Sequence, residues 1–303
     1  MTDLTATGHT GLVGPGTTVA AEFRVAGQRL VYELIGDGET VLFLANIAVP
    51  ASEMRAFAPI LNAAGYQLML VDYLGPAEAS IEEIAAHVGE LIDTLDIHPW
   101  VWGYSQGAYI AQELGLLRPD RVRGAILAAT RGRTTRFLEQ YVMASGDVDG
   151  ADVSDHVAAV FYLLAMMSPD LLCDDDQMEL MSHGVLRVRK ILDEERSRRS
   201  VRASAGYGNR LEALAGVRVP CLVLSFENDL VCPPQLGREV ADAIPEGEYL
   251  EISGAGHGGM TTHATDVVAA VTEFLGRWRN QPGRQHQLSE PRTSGAAACI
   301  GRR

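Results

Sequence analysis

A chain of 303 residues, 47% of them hydrophobic, can bury a domain-sized core and is too apolar for its bulk to be disordered. Its formal net charge of −14 argues against nucleic acid and anionic membranes as partners, because both need a basic surface. Cys173, Cys221, Cys232 and Cys299 form no CxxC pair and no Cys/His cluster, so no metal site is expected.

In chain order, residues 1–16 are rich in Gly and Thr and read as a flexible N-terminus. They lack the basic and apolar regions of a secretory signal, and a cytoplasmic location is expected. The segments "TVAAEFRV" and "QRLVYELI" flank a turn at Ala26-Gly27 and predict a β-hairpin. "TVLFLA" (Thr40–Ala45) and "QLMLVD" (Gln67–Asp72) are short apolar runs, as buried parallel strands are, and a helix over Glu53–Ala64 joins them. Ser80 with Glu83 forms a capping box for the next helix, in which Ile81, Ile84, Ala85, Val88, Leu91, Ile92 and Leu95 recur at helical spacing.

"PWVWGY" (Pro99–Tyr104) predicts a strand with a helix from Gln106, and "VRGAILAA" (Val122–Ala129) a further strand. "VPCLVLSF" (Val219–Phe226) and "EYLEIS" (Glu248–Ser253) are strands with a helix near Pro234 between them, and a last helix runs from about Thr262 to Trp278. This β-then-α order predicts an α/β fold with a mostly parallel, doubly wound sheet. From Arg131 to about Gly206 the pattern is helical without a convincing strand. The expected organisation is a core over 17–130 and 206–280, a helical cap over 131–205 and a disordered tail over 281–303. The longest apolar run, Val157 to Met167, is too short to span a bilayer.

Within this frame, Gly103-Tyr104-Ser105-Gln106-Gly107 fits G-x-S-x-G, a weak signal alone. Its position between a strand and a helix strengthens it. A strand–serine–helix turn exposes the hydroxyl at the carboxyl end of the sheet, where α/β proteins bind ligands, and the flanking glycines leave room for it. A serine hydroxyl needs a base to take its proton, and the base needs a carboxylate to hold it. His257, in "ISGAGHGGM", follows the last strand, and Asp229, in "LVLSFENDLVCPP", follows the strand before.

The order Ser105, Asp229, His257, each at a strand end, resembles the α/β-hydrolase superfamily over roughly residues 20–130 and 206–279. The resemblance implies an α/β-hydrolase fold with Ser105 as nucleophile, His257 as general base then acid, and Asp229 orienting His257. It implies an oxyanion hole from the backbone N–H groups of Gln106 and of Ile47. The loop "FLANIAVP" departs from the family's usual His-Gly. Its Asn46 is similar to the Asn-Ser of the 3-oxoadipate enol-lactonase branch. "VDYLGPAEAS" is shorter than the corresponding family loop.

Other residues stay open at this point. Glu227 competes with Asp229 as the acid and His263 with His257 as the base. Asn46 either contacts substrate or braces the oxyanion loop. Arg131 and Arg133 either bind an anionic substrate or are solvated or ion-paired, the latter favoured. Of Phe161, Tyr162, Leu164, Met166 and Met167, one or two are expected to line an apolar pocket, with Phe161 and Met167 the named candidates for substrate contact. "CDDD" (Cys173–Asp176) reads as a helix start or solvated loop, and "RVRKILDEERSRRS" (Arg187–Ser200) as a solvated, ion-paired helix. The functional expectation is cofactor-free cleavage of an ester, thioester or lactone on a small, fairly apolar molecule, with either secondary metabolism or, from the Asn46 resemblance, breakdown of an aromatic compound as the setting. The alternatives are elimination of a carboxylate on the same triad, and a non-catalytic ligand-binding protein. Oligomeric state is left open.

Overall fold

The computed structural model describes residues 18–46, 48–73, 78–149, 153–191 and 194–279. The expected flexible N-terminus and tail, the candidate donor Ile47, and part of the "VDYLGPAEAS" loop lie outside these residues.

Strands β1 (Thr18–Val25), β2 (Gln28–Ile35), β3 (Glu39–Leu44), β4 (Tyr66–Tyr73), β5 (Trp100–Tyr104), β6 (Gly124–Ala128), β7 (Cys221–Phe226) and β8 (Gly247–Ile252) form one sheet in the order β1-β2-β4-β3-β5-β6-β7-β8. β1 and β2 are the expected hairpin, and β2 pairs antiparallel with β4; every later pairing is parallel. The period-2 alternation of strands divides the apolar residues between two faces. Leu42, Leu44, Met69, Val71, Val101, Leu127 and Val223 pack on one side. Phe43, Leu68, Leu70, Trp102, Ile126, Leu224 and Phe226 pack on the other.

Helices α2 (Ile81–Thr94), α3 (Gln106–Leu117) and α10 (Pro234–Ala243) contribute to the first face. Helices α1 (Ala58–Ala63) and α12 (Ala264–Arg279) cover the second. The capping box of α2 forms as expected: Glu83 N–H donates to Ser80 Oγ at 3.2 Å and Ser80 N–H to Glu83 Oε2 at 2.9 Å.

The helix expected over Glu53–Ala64 is split. A 3₁₀ segment, Ala51–Phe57, precedes α1. Pro59, near the start of α1, has no N–H to return to the preceding turn, so one continuous α-helix is denied there. The last helix begins at Ala264, after a short turn α11 (Gly259–Thr262).

Between β6 and β7 lie α4 (Arg136–Asp149), α5 (Asp155–Met166), α6 (Pro169–Leu172), α7 (Asp175–Ile191), α8 (Glu194–Gly206) and α9 (Leu211–Leu214). The acidic run before α7 acts as a helix start, with Gln177 N–H donating to Asp174 Oδ1 at 3.0 Å. Among the described residues, no His/Cys/Asp/Glu cluster can hold a metal ion. No described helix is long and apolar enough to cross a membrane.

Candidate active site

Ser105 stands between β5 and α3 with φ 54° and ψ −120°. A non-glycine residue at positive φ is strained by about 1–3 kcal/mol, and the surroundings must over-determine it. They do so from both sides. Ser105 N–H donates to Ala128 O at 2.9 Å, continuing the β5–β6 ladder, and Ser105 O accepts from Ala108 N–H at 2.9 Å. A Cβ at Gly103 would lie 2.5 Å from Ala108 Cα, and one at Gly107 1.9 Å from Leu44 O. The two glycines therefore let α3 settle against β5 and β3, with the positive end of its dipole at Ser105.

The loops after β7 and β8 bring the other two groups to this point. His257 Nδ1 lies 2.7 Å from Asp229 Oδ2, and His257 Nε2 lies 3.1 Å from Ser105 Oγ. Asp229 and His257 are each only 2% exposed. The other carboxylate oxygen, Asp229 Oδ1, accepts from Val231 N–H at 2.8 Å and Cys232 N–H at 2.7 Å. With a carboxylate at Nδ1, the neutral ring carries its proton there and presents the Nε2 lone pair to the serine.

The histidine loop is held at its backbone. Tyr104 donates its hydroxyl to His257 O at 2.6 Å, and its ring centroid lies 5.6 Å from the imidazole. Burial, with Asp229 and Cys232 nearby, pushes the Tyr104 phenol well above its ordinary pKa, so it remains a donor. Gly258 N–H donates to Met166 O at 2.8 Å.

The competing residues fall elsewhere. Glu227 is exposed and accepts from Ser253 Oγ and Gly254 N–H, both at 2.7 Å, which lower its pKa. His263 Nδ1 pairs with Thr262 Oγ1 at 2.9 Å. Cys232 is buried, and burial pushes its thiol up to about 12, leaving it unreactive at neutral pH.

After β3, Asn46 braces its loop: its Oδ1 accepts from Ala48 N–H at 2.8 Å and from Ser200 Oγ at 2.9 Å. The Gln106 side chain is 1% exposed and donates to Ser200 O at 2.8 Å and Ser204 Oγ at 2.7 Å. The expectation of a solvated helix ending at Ser200 is thus corrected for α8. Ser197, Arg199, Ser200 and Ser204 are buried, because α8 lays this face over Asn46 and Gln106.

The expectation for Arg131 is also corrected. It is fully buried, 4.6 Å from the Tyr109 ring centroid and 5.6 Å from that of Tyr207. It donates to Ser204 O at 2.9 Å and Tyr207 O at 3.1 Å. Two aromatic faces and the negative end of α8 stand where a carboxylate was expected. Arg133 is ion-paired, with Glu239 at 2.6 Å.

Of the candidate substrate contacts, Phe161 stacks on Tyr141 at 5.3 Å and 6°. Met167 is buried with Ala159 and Leu163, and its Cε would lie 3.1 Å from a Cβ at Gly258. Leu164 is 55% exposed. Sequence reasoning did not single out Tyr104, Ser200 or Ser204. Tyr104 lay inside the serine motif, whereas the two serines carried no signal.

The family model "Alpha/beta hydrolase family" matches residues 27–271. BpoC of Mycobacterium tuberculosis, by its name a non-heme bromoperoxidase, is 34% identical over 260 residues, covering 81% of this chain and 97% of that protein. Its crystal structure superposes with a TM-score of 0.75 over 82% of this chain and 96% of that one. A pimeloyl-[acyl-carrier protein] methyl ester esterase of Chromobacterium violaceum is 26% identical over 270 residues, 81% of this chain and 98% of the esterase. The enol-lactonase of Burkholderia xenovorans shares the fold at TM-score 0.69 and 20% identity, over 85% and 98% of the two chains. With this sheet order, this serine turn and a family match over most of its length, the chain belongs to the α/β-hydrolase family.

Proposed function

We propose that the protein cleaves a carboxylic ester, thioester or lactone of a small, largely apolar molecule through an acyl-enzyme on Ser105, without a cofactor. The observation that carries this reading is His257 bridging Asp229 at 2.7 Å and Ser105 at 3.1 Å. The esterase and lactonase names among its relatives agree with the substrate class.

In the proposed reaction, Ser105 Oγ attacks the acyl carbon while His257 Nε2 takes its proton. The carbonyl electrons move to oxygen, which the N–H groups of Gln106 and Ile47 receive at the dipole end of α3. Collapse breaks the bond to the leaving oxygen or sulfur, which takes the proton back from His257. Water, deprotonated by His257, then attacks the acyl carbon; the bond to Ser105 Oγ breaks, Oγ takes the proton back from His257, and the acid leaves. The helices between β6 and β7 act as a cap over this site, with Phe161 and Met167 facing the substrate.

The test is a panel of p-nitrophenyl esters, thioesters, acetyl esters and lactones with products read by mass, on the wild type and Ser105→Ala. An acid plus an alcohol or thiol, lost in the variant, supports the reading. An acid plus an alkene replaces it with elimination. Bromide with hydrogen peroxide belongs in the panel because of the name carried by the 34% identical relative. A folded wild type that acts on nothing and binds panel members unchanged identifies a binding protein.

A further inference from the structure

The two loops that the proposed reaction assigns to the oxyanion leave different strands. Asn46 follows β3 and Gln106 follows β5 and Ser105. An oxyanion hole works only if its donors are fixed before charge develops, because reorganising them during the reaction would cost what they are meant to supply. Below the site, α3 lies tightly on the end of β3 at Gly107. Above it, one side chain from the insertion reaches both loops. Ser200 Oγ lies 2.9 Å from Asn46 Oδ1 and 3.3 Å from Gln106 Oε1, and Ser200 O accepts from Gln106 Nε2 at 2.8 Å.

We infer that Ser200 is a positioning residue, a clasp carried by α8 that sets the separation of the two oxyanion loops. The inference rests on the acyl-transfer reading above. The chemistry of the contacts leaves little freedom. Asn46 Oδ1 faces the Ala48 N–H, a certain donor, so this atom is the carboxamide oxygen and the Ser200 hydroxyl must donate to it. Both Gln106 Nε2 protons are spent on Ser200 O and Ser204 Oγ, so Ser200 holds Gln106 through its carbonyl while its one hydroxyl proton, given to Asn46 Oδ1, holds the other loop. Ser200 is 8% exposed, so water does not readily replace these bonds.

A clasp must itself be anchored, and α8 is anchored along its length. Near its start Arg196 reaches Asp72 at 3.3 Å, and Ser197 donates to Asp149 of α4. At its end Arg131 holds Ser204 O at 2.9 Å. Just beyond, the Tyr207 hydroxyl lies 3.0 Å from Gln112 Oε1 and 2.9 Å from Glu113 Oε1, both on α3, and shares its one proton with them. The insertion is therefore joined to the helix that begins at the candidate nucleophile.

The experiment is steady-state hydrolysis of p-nitrophenyl acetate and inhibition by phenylboronic acid, whose tetrahedral adduct carries the oxyanion, with wild type, Ser200→Ala and Ser200→Thr. Ser200→Ala is expected to lower kcat about 10-fold, short of the loss seen when an oxyanion donor itself is removed. Phenylboronic acid affinity should fall by a similar factor. KM and the pH midpoint of kcat/KM should not move, because Ser200 touches neither His257 nor Asp229. Ser200→Thr, which keeps the hydroxyl, should recover most of the loss. Wild-type kcat and boronate affinity in Ser200→Ala overturn the proposal, as does a loss that shifts the pH midpoint or that threonine does not recover. A wild type that neither hydrolyses the ester nor acylates at Ser105 overturns the acyl-transfer reading and this proposal together. An active wild type with an unaffected Ser200→Ala overturns this proposal alone.

Discussion

Gly258 gives its N–H to the carbonyl of Met166 at 2.8 Å, so the residue after His257 is bonded to the last residue of α5. The histidine loop and the inserted helices thus share a backbone contact. It explains the glycines around His257: a Cβ at Gly256 would lie 2.6 Å from Met166 O and 2.7 Å from Met167 C. Both are backbone atoms, which cannot swing aside as a side chain can.

Two glycine substitutions should therefore act in opposite directions. Gly256→Ala is expected to destabilise the fold by about 1–3 kcal/mol through overpacking, and to lower the proposed ester hydrolysis by displacing the loop of His257. Gly276→Ala, in the last turn of α12 with nothing within 4 Å of its added Cβ, is expected to stabilise by up to about 0.5 kcal/mol, less than at a helix centre. Urea unfolding of the two variants checks both signs.

Asp229→Asn should separate geometry from protonation. The substituted carboxamide can still accept the Val231 and Cys232 N–H groups on its oxygen, which turns its NH₂ toward His257. The imidazole must then accept at Nδ1 and carry its proton on Nε2, where it cannot take the serine's proton. Ester turnover should fall about 10⁴-fold while thermal unfolding changes little. A loss below about tenfold would contradict the assigned tautomer.

Arg131→Met removes the donors that hold Ser204 O and Tyr207 O in a buried site. The expected cost is about 1–3 kcal/mol from the loss of charge-assisted hydrogen bonds in a buried site, although Tyr207 O keeps the Thr134 hydroxyl and Ser204 O keeps the Tyr207 N–H. Arg133→Ala is the comparison. Its pair with Glu239 is half exposed, with side-chain exposures of 41% and 33%. It should contribute less than about 1 kcal/mol. Equal effects on the melting temperature would contradict this distinction.

High pH should weaken the fold in a definite window. Burial pushes the Cys221 and Cys232 thiols up to about 12, and Tyr109 and Tyr207 are pushed well above 10. These groups are held neutral in the folded state and ionise more readily in the unfolded chain. Their contribution is complete below the unfolded thiol pKa of about 9 and is lost as pH rises from there through the folded values. The melting temperature should fall steadily above pH of about 9. Below that pH, a thiol reagent should modify the exposed Cys173 and spare Cys221 and Cys232 while the protein stays folded.

The strands, the antiparallel hairpin and the Ser–Asp–His order were legible because each depends on local signals. Apolar runs mark the strands, and the three candidate groups follow strand ends, where this fold gathers them. What escaped depends on distant closure. Nothing near Arg131 announces that Tyr109 and Tyr207 will close on its guanidinium. The charged stretch ending at Ser200 looks solvated until α8 turns its serines toward Gln106, 94 residues away in sequence. Pro59 was visible, yet the apolar pattern around it concealed the break between the 3₁₀ turn and α1.

Intact mass after incubation with a fluorophosphonate probe shows whether Ser105 is an activated nucleophile. One probe mass is expected per wild-type chain and none on folded Ser105→Ala. Labelling that persists in Ser105→Ala, or a folded wild type that resists both the bulky probe and a small one, would contradict that role.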